Sequence, residues 1–353
     1  MTARTRAAQP NLLMTPDTGP SVNGNAHVLK QEKASPEPGS GHLHLSTTGS
    51  RAVFSTLQAS YPLKLLAPSP LPSQPPLLAI AYTLAYGGGL VAGDVISLRI
   101  EVDDNGGLVL LTQGSTKVFR TRPGIRPLSH ARVRATTSKE SHALSTNQRM
   151  HIKLGSNAFT LVLPDSISPF HQSSYRQSQR FVLPPDGTAS VLVLDWVNSG
   201  RGSGFGDGQG EVWSMDRYDS VNEILLGKSL IMRERMNLVN PSSNDLAADA
   251  SLRPVAKRLV PYAVYATVLL YGPHLAPLLE YLRKLCDTTT QFQLKEVPGL
   301  VWSYSDTSGA DDLGGVLRIA GREVEETRVW LRRVFERGGV KELVGEGLWP
   351  RMI

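Results

Sequence analysis

The clearest pattern in the sequence is an alternation of apolar and polar residues in short runs between Leu77 and Val260. In Val95–Val102, every second residue is apolar, and the residues between them include serine, arginine and glutamate. A period of two is typical of a β-strand that buries one face. Similar runs predict further strands at Gly107–Thr112, Ala131–Thr136, Met150–Leu154, Phe159–Leu163, Arg180–Leu183, Ser190–Trp196 and Leu230–Leu238.

Helical periodicity is found only in the last third of the chain. Pro273–Leu285 begins with proline and then places leucines three and four residues apart, which is typical of a helix with one buried side. Glu323–Arg337 has glutamates in its first turn, arginines in its last turn and Gly338 after it, which suits the helix dipole and a glycine cap. The sequence therefore predicts a mainly β fold, as a sandwich, barrel or helix-like stack, followed by two C-terminal α-helices.

Three segments lack any hydrophobic period. Residues 1–41 are rich in proline, glycine, serine and asparagine, which predicts a disordered N-terminal arm before a single β-rich domain at 42–353. Residues 200–210 have glycine at every second position, and residues 240–252 are mostly small and polar. We expect both of these segments to be exposed loops.

Composition narrows the class of protein. The 37 Lys and Arg residues exceed the 31 Asp and Glu residues by six and are scattered, and aromatic residues make up only 7%, so no nucleic-acid site is indicated. The single cysteine, Cys286, excludes an internal disulfide. No apolar stretch has the length of a membrane span or the form of a signal peptide. We therefore expect a cytoplasmic protein without membrane contact.

Two glycine-containing motifs could suggest catalysis. The run Tyr86–Asp94 lacks the Gly-Lys-Ser/Thr of a phosphate-binding loop, and a strand pattern follows it rather than a helix, so a nucleotide site is not favoured. Gln113–Lys117 contains serine, threonine and lysine, but no partner for nucleophilic chemistry can be identified. The sequence predicts no catalytic residue.

The candidates for metal binding are few. His42 and His44 lie two apart and would share one strand face, so they are weak candidate ligands, although a chance surface pair is the favoured interpretation. Glu234 falls on the apolar face of Leu230–Leu238. A carboxylate there must pair with a cation such as arginine or line a wet interior through which a cation passes. No tight metal site is predicted.

Several segments together resemble the UreD (UreH) family of urease accessory proteins. The resemblance is strongest at Gly88–Asp94 and Leu111–Arg120 and extends over about residues 51–353. Weaker matches occur at Tyr61–Leu66, Leu163–Phe170, Gly200–Arg201, Gly210–Trp213, Ala266–Gly272 and Glu326–Phe335. Two features depart from the family pattern: a longer, glycine-rich spacer before Glu211, and an aspartate at position 165 where a longer acidic side chain is usual.

The resemblance implies an irregular β-helix-like stack of strands with two C-terminal helices. It also implies a non-catalytic maturation factor that binds apo-urease with UreF and the GTPase UreG and assists nickel delivery. Nickel would be in transit, with no tightly bound cofactor. The implied positions for the nickel route or the partner face, with Glu234 added from the alternation, are Asp94, Thr112, Gln113, Ser115, Thr116, Lys117, Asp165, Glu211 and Glu234.

Two other functions are compatible with a β-rich chain. One is a β-helical carbohydrate-active enzyme that uses paired carboxylates, although the low aromatic content and the lack of a secretion signal count against it. The other is a general β-scaffold adaptor without metal traffic. Nickel-dependent activation of urease separates these functions from a urease maturation factor.

Overall fold

Two β-sheets contain most of the described secondary structure. A computed structural model of the chain describes residues 37–71, 73–120, 145–202, 211–242, 245, 254–289, 298–307 and 313–353. The strands are β1 (Ser40–Thr48), β2 (Arg51–Ala59), β3 (Leu63–Leu66), β4 (Leu78–Ala85), β5 (Gly89–Leu90), β6 (Val95–Val102), β7 (Gly107–Thr112), β8 (Thr116–Val118), β9 (Thr146–Leu154), β10 (Phe159–Leu163), β11 (Ile167–Pro169), β12 (Ser174–Leu183), β13 (Ser190–Asn198), β14 (Arg217–Leu226), β15 (Ser229–Val239), β16 (Val264–Tyr271), β17 (Leu300–Asp306) and β18 (Gly314–Gly321). The helices are α1 (Val255–Leu259), α2 (Ala276–Thr288), α3 (Val324–Arg337) and α4 (Val340–Val344).

The chain passes back and forth between the two sheets. Sheet A has seven strands in the order β15-β14-β12-β9-β6-β1-β2, and the main path of sheet B runs β17-β18-β16-β13-β10-β7-β4-β3. In sheet A, β6, β9, β12 and β14 pair in parallel, and in sheet B, β4, β7, β10 and β13 do the same. Residues far apart in sequence are therefore brought side by side, and inward side chains of β12 and β14 face β13.

The burial of each strand follows from what covers it. In β6, every second residue is buried, because only one face of sheet A packs on a core. In β13, all residues are buried, because one face of sheet B packs on sheet A and the other on helices. One apolar cluster, which includes Ile100, Phe181 and Val193, lies between the sheets. A second cluster joins Trp196 of sheet B to helical residues such as Phe335.

The two longer helices lie where helical periodicity predicts them. Leu278, Leu279 and Leu282 of α2 are buried, as are Leu331, Val334 and Phe335 of α3. A mainly β fold with two helices near the C-terminus is confirmed. The predicted strands are also confirmed within the described residues, whereas the one predicted at Ala131–Thr136 lies outside them.

Some predicted segments lie wholly or partly outside the described residues, namely 1–36, 203–210, 243–244 and 246–253. The disordered arm and the two exposed loops therefore stay predictions. Strand β1 starts at Ser40, two residues before the predicted boundary. Among the helices of the described ranges, none combines the length and apolar character needed to span a bilayer.

Candidate functional site

A group of polar side chains lies in the interior between the two sheets. On β12, Gln177 and Gln179 alternate with exposed residues and point inward. Parallel pairing sets Gln177 beside Ser220 and Gln179 beside Asn222 on β14. All four are buried, and they face β13, where Asp195 is the inward carboxylate.

Asp195 accepts hydrogen bonds from four side chains. Its Oδ1 atom accepts from Gln177 Nε2 and from the Tyr218 hydroxyl, both at 3.2 Å. Its Oδ2 atom accepts from Asn222 Nδ2 at 2.6 Å and from the Ser220 hydroxyl. Only 4% of Asp195 is exposed. Four donors directed at two oxygen atoms fit an acceptor-only carboxylate, which an isolated apolar interior would not tolerate.

Burial and hydrogen bonding act on Asp195 in opposite directions. Burial raises the pKa of the Asp195 carboxyl above its usual value, and the donors from Ser220, Asn222, Tyr218 and Gln177 partly offset that rise. Burial, followed by the nearby charge of Asp195, raises the pKa of Tyr218 well above that of a free phenol. Tyr218 therefore remains protonated and can donate to the carboxylate.

Gln177, Gln179 and Asp195 border an internal space that we call the polar cavity. Its volume is about 60 Å³, which is room for about two water molecules at the roughly 30 Å³ that each takes in the liquid. Gln179 Oε1 and Asn222 Oδ1 are buried nearby with no hydrogen-bond partner among the described residues. Such acceptors are costly unless water or a passing ligand meets them. The polar residues that line the cavity are Thr83, Thr112, Thr116, Gln148, Arg149, Asp165, Gln177, Gln179 and Asp195.

Three residues implied by the family resemblance lie at this cavity: Thr112, Thr116 and Asp165. The Thr112 hydroxyl accepts a hydrogen bond from the Asp165 backbone N–H at 2.7 Å. Asp165 Oδ1 accepts from Arg328 of α3 at 2.8 Å, and its side chain is 18% exposed. The Asp165 carboxylate is therefore held between the cavity and the helical layer.

The other implied residues of the two central motifs lie elsewhere. Asp94 Oδ2 accepts the backbone N–H of Val91 at 2.8 Å, which closes the turn before β6. Gln113 and Lys117 are exposed, and Ser115 is half-buried. None of these four lines the polar cavity. A place for them on a partner face stays a prediction.

The two candidate glutamates, Glu211 from the resemblance and Glu234 from the alternation, also lie away from the cavity. Glu211 Oε2 accepts the His171 backbone N–H at 3.3 Å. Glu234 forms two hydrogen bonds with Arg318 of β18, at 3.0 and 2.7 Å. Glu234 therefore takes the ion pair with an arginine, one of the two alternatives open to a carboxylate on that face.

His42 and His44 each lie beside a different carboxylate. His42 Nε2 is 3.4 Å from Glu101, and His44 Nε2 is 2.8 Å from Asp103. Within the described ranges, no group of three or more His, Cys, Asp or Glu residues is arranged to hold a metal ion. Neither His42 nor His44 therefore belongs to such a group among the described residues.

Sequence reasoning missed the glutamines of the cavity wall and the asparagine that donates to Asp195. The signal was available in β12, where Phe181 and Leu183 set the apolar parity, and Gln179 and Gln177 continue on the same face. A polar residue on an apolar face indicates a partner or a wet interior. Chemically, the site offers oxygen ligands and one buried carboxylate, which suit weak, transient contact with a divalent cation rather than tight binding.

Comparisons with known proteins agree with the resemblance seen in the motifs. The family described as UreD urease accessory protein matches residues 37–351. Urease accessory protein 4 of Cryptococcus neoformans var. grubii is 58% identical over 316 residues, covering 89% of this chain and 95% of that protein. Urease accessory protein D of Oryza sativa subsp. japonica is 29% identical over 283 residues, 80% of each chain. Urease accessory protein UreD of Anaeromyxobacter sp. is 28% identical over 295 residues, 84% of each. The matched range includes every strand that borders the polar cavity.

Proposed function

Because the chain belongs to the UreD family of urease accessory proteins, we propose that it binds apo-urease together with UreF and UreG and assists nickel delivery to the urease active site. Members of this family are maturation factors rather than enzymes. The carbohydrate-active enzyme considered from the sequence is therefore rejected. A β-scaffold adaptor without metal traffic remains the alternative to nickel delivery.

The observation that supports nickel transit is the polar cavity. Its lining supplies hydroxyl, amide and carboxylate oxygens, whereas tight nickel sites favour imidazole or thiolate ligands. A route must accept an ion without retaining it, as in channels, where entry is favourable and exit is still easy. Asp195 supplies a carboxylate along such a route, Asp165 supplies one that is paired with Arg328, and Thr112, Thr116 and the glutamines supply neutral oxygen atoms.

Gln179 offers a test in which stability and function move in different directions. Gln179→Met keeps the size of the side chain and removes a buried acceptor that has no protein partner. We expect the free energy of unfolding to stay the same or rise by about 1 kcal/mol. Nickel-dependent urease activation should fall, since the cavity becomes less polar. Denaturant unfolding and urease activity are measured on the same preparation.

The matched control is Gln58→Met on the exposed strand β2, which should change neither quantity. Full activation by a Gln179→Met protein of normal stability would count against an interior nickel route and support the adaptor. A parallel fall of stability and activation would instead assign Gln179 a structural role.

A further inference from the structure

The outer face of sheet A carries a strong excess of positive charge. Strands β6, β9, β12, β14 and β15 lie side by side, and their outward positions hold eight basic and three acidic residues, 8 − 3 = +5. The whole chain has a formal net charge of +6. We call these outward positions the basic face; its charged residues are Arg99, Glu101, Arg149, Lys153, Arg176, Arg180, Arg217, Asp219, Glu223, Arg233 and Arg235.

Two nearly buried carboxylates organise the centre of the basic face. Glu223 lies 2.7 Å from Arg180 and 2.6 Å from Arg233. The hydrogen bond from Arg180 lowers the pKa of Glu223 below its usual value, so the carboxylate is ionised at neutral pH. Its side chain is only 9% exposed, whereas the two arginines are 52% and 61% exposed. Each such group therefore has a net positive charge and guanidinium N–H groups that face solvent.

Asp219, four residues before Glu223 on β14, forms the same arrangement. Arg235 donates to both of its oxygen atoms, at 2.9 and 3.0 Å, and Arg176 lies 3.8 Å away. These contacts fix the guanidinium planes before any partner arrives. A fixed guanidinium loses less conformational entropy on binding than a free side chain does.

Arg149 and Lys153 on β9 add two more basic groups, of which Lys153 lies opposite Glu101 in the pairing of β9 with β6. Both are exposed, and neither forms an ion pair with another described residue. Between them lies His151, whose pKa is lowered by burial and then by the charges of Arg180 and Arg99. The local field is therefore positive, and β9 places these two groups beside the organised arginines.

We propose that the basic face is a docking surface for an acidic surface of a partner protein. Exposed arginine pairs with carboxylates through two parallel hydrogen bonds and is enriched at protein interfaces. A second copy of this chain would oppose like charge. Residues 1–36 have four basic and two acidic residues, so they are not complementary either. The outward positions of these five strands contain no Phe, Tyr or Trp, which disfavours single-stranded nucleic acid.

The test reverses charge at the two unpaired positions. The Arg149→Glu/Lys153→Glu protein breaks none of the ion pairs described above, and Arg333→Glu/Arg337→Glu makes the same charge change on exposed positions of α3. Poly-L-glutamate serves as the acidic polypeptide probe. We expect the Kd of the wild-type protein for poly-L-glutamate to rise with salt concentration. The Kd should be at least about tenfold higher for the β9 variant, because its new glutamates repel the acidic probe. For the α3 variant it should change less than about twofold.

Equal weakening in both variants would overturn the basic face as a distinct site. Tighter binding of poly-uridylate than of poly-L-glutamate, lost in the β9 variant, would overturn the protein partner in favour of RNA. Thermal melting checks folding, and Arg149→Ala/Lys153→Ala replaces the double glutamate variant if that variant is unstable.

Co-purification with UreF and apo-urease then tests whether one of these two proteins is the acidic partner. This last step rests on the proposed function. Loss of both proteins from the β9 variant, with retention by the α3 variant, supports the inference. If the wild type itself retains neither protein, the proposed function fails, and the poly-L-glutamate comparison alone decides the basic face.

Discussion

Replacing Asp195 by leucine is expected to lower the free energy of unfolding by about 3 kcal/mol or more, because four buried donors lose their acceptor at once. Those donors come from Gln177, Tyr218, Ser220 and Asn222, and leucine offers none of them an acceptor. Denaturant unfolding of the purified protein measures the effect. A loss below about 1 kcal/mol would mean that the network contributes little to stability.

The Asp195→Asn substitution removes the negative charge of the side chain but keeps its size and shape. The amide group of Asn222 can turn so that its oxygen, which has no protein partner, accepts from the new amide. We therefore expect the Asn variant to fold. Its nickel-dependent urease activation should fall by about tenfold, the scale on which loss of a group around a metal changes affinity. Normal activation by a folded Asn variant would remove Asp195 from the nickel route.

Gly272→Ala is expected to destabilise the fold by about 3 kcal/mol, through steric overlap and backbone strain together. Gly272 follows β16 and has φ of 107°. An added Cβ would lie 2.6 Å from the Ser190 Cα atom and against the Ala189 carbonyl oxygen. These backbone atoms belong to the start of β13 and the residue before it, so they cannot move without disturbing the sheet.

Gly87→Ala is the matched control, because Gly87 also has positive φ, at 77°, but has open space where its Cβ would lie. It should cost only about 1 kcal/mol, the conformational penalty alone. The difference between the two variants in thermal or denaturant unfolding isolates the steric contribution. Equal losses in both would show that packing against β13 is not the dominant cost.

Local pattern was sufficient to predict the mainly β class, seven of the described strands and the two longer helices. The alternation in Val95–Val102 predicts β6, and leucine spacing predicts α2. Strands β1 and β2 were not among the predicted runs, although His42 and His44 were expected to share a strand face. Polar residues such as His42 and Gln58 interrupt the pattern in these two strands, of which β2 is the edge of sheet A. Edge strands bury less surface, and their periodicity is accordingly weaker.

The site was less accessible to prediction, because its contacts join residues far apart in sequence. Asp195 receives donors from β12 and β14, and which residues meet depends on sheet register. The partner of Glu234 is Arg318, 84 residues later. Sequence alternation indicated that Glu234 needs a partner, but it gave no means of choosing which arginine. The predicted residues Thr112, Thr116 and Asp165 reach the cavity. The glutamines of its wall could be placed there only from the pairing of the strands.

The measurement that tests nickel delivery most directly is activation of apo-urease with defined components. Apo-urease, UreF, UreG and nickel are combined with or without this protein, and bound nickel per urease site and urea hydrolysis are followed together. We expect both to rise only when this protein is present, and we expect the Gln179→Met and Asp195→Asn variants to assemble but to load less nickel. Equal nickel content and activity in its absence would contradict a role in nickel delivery.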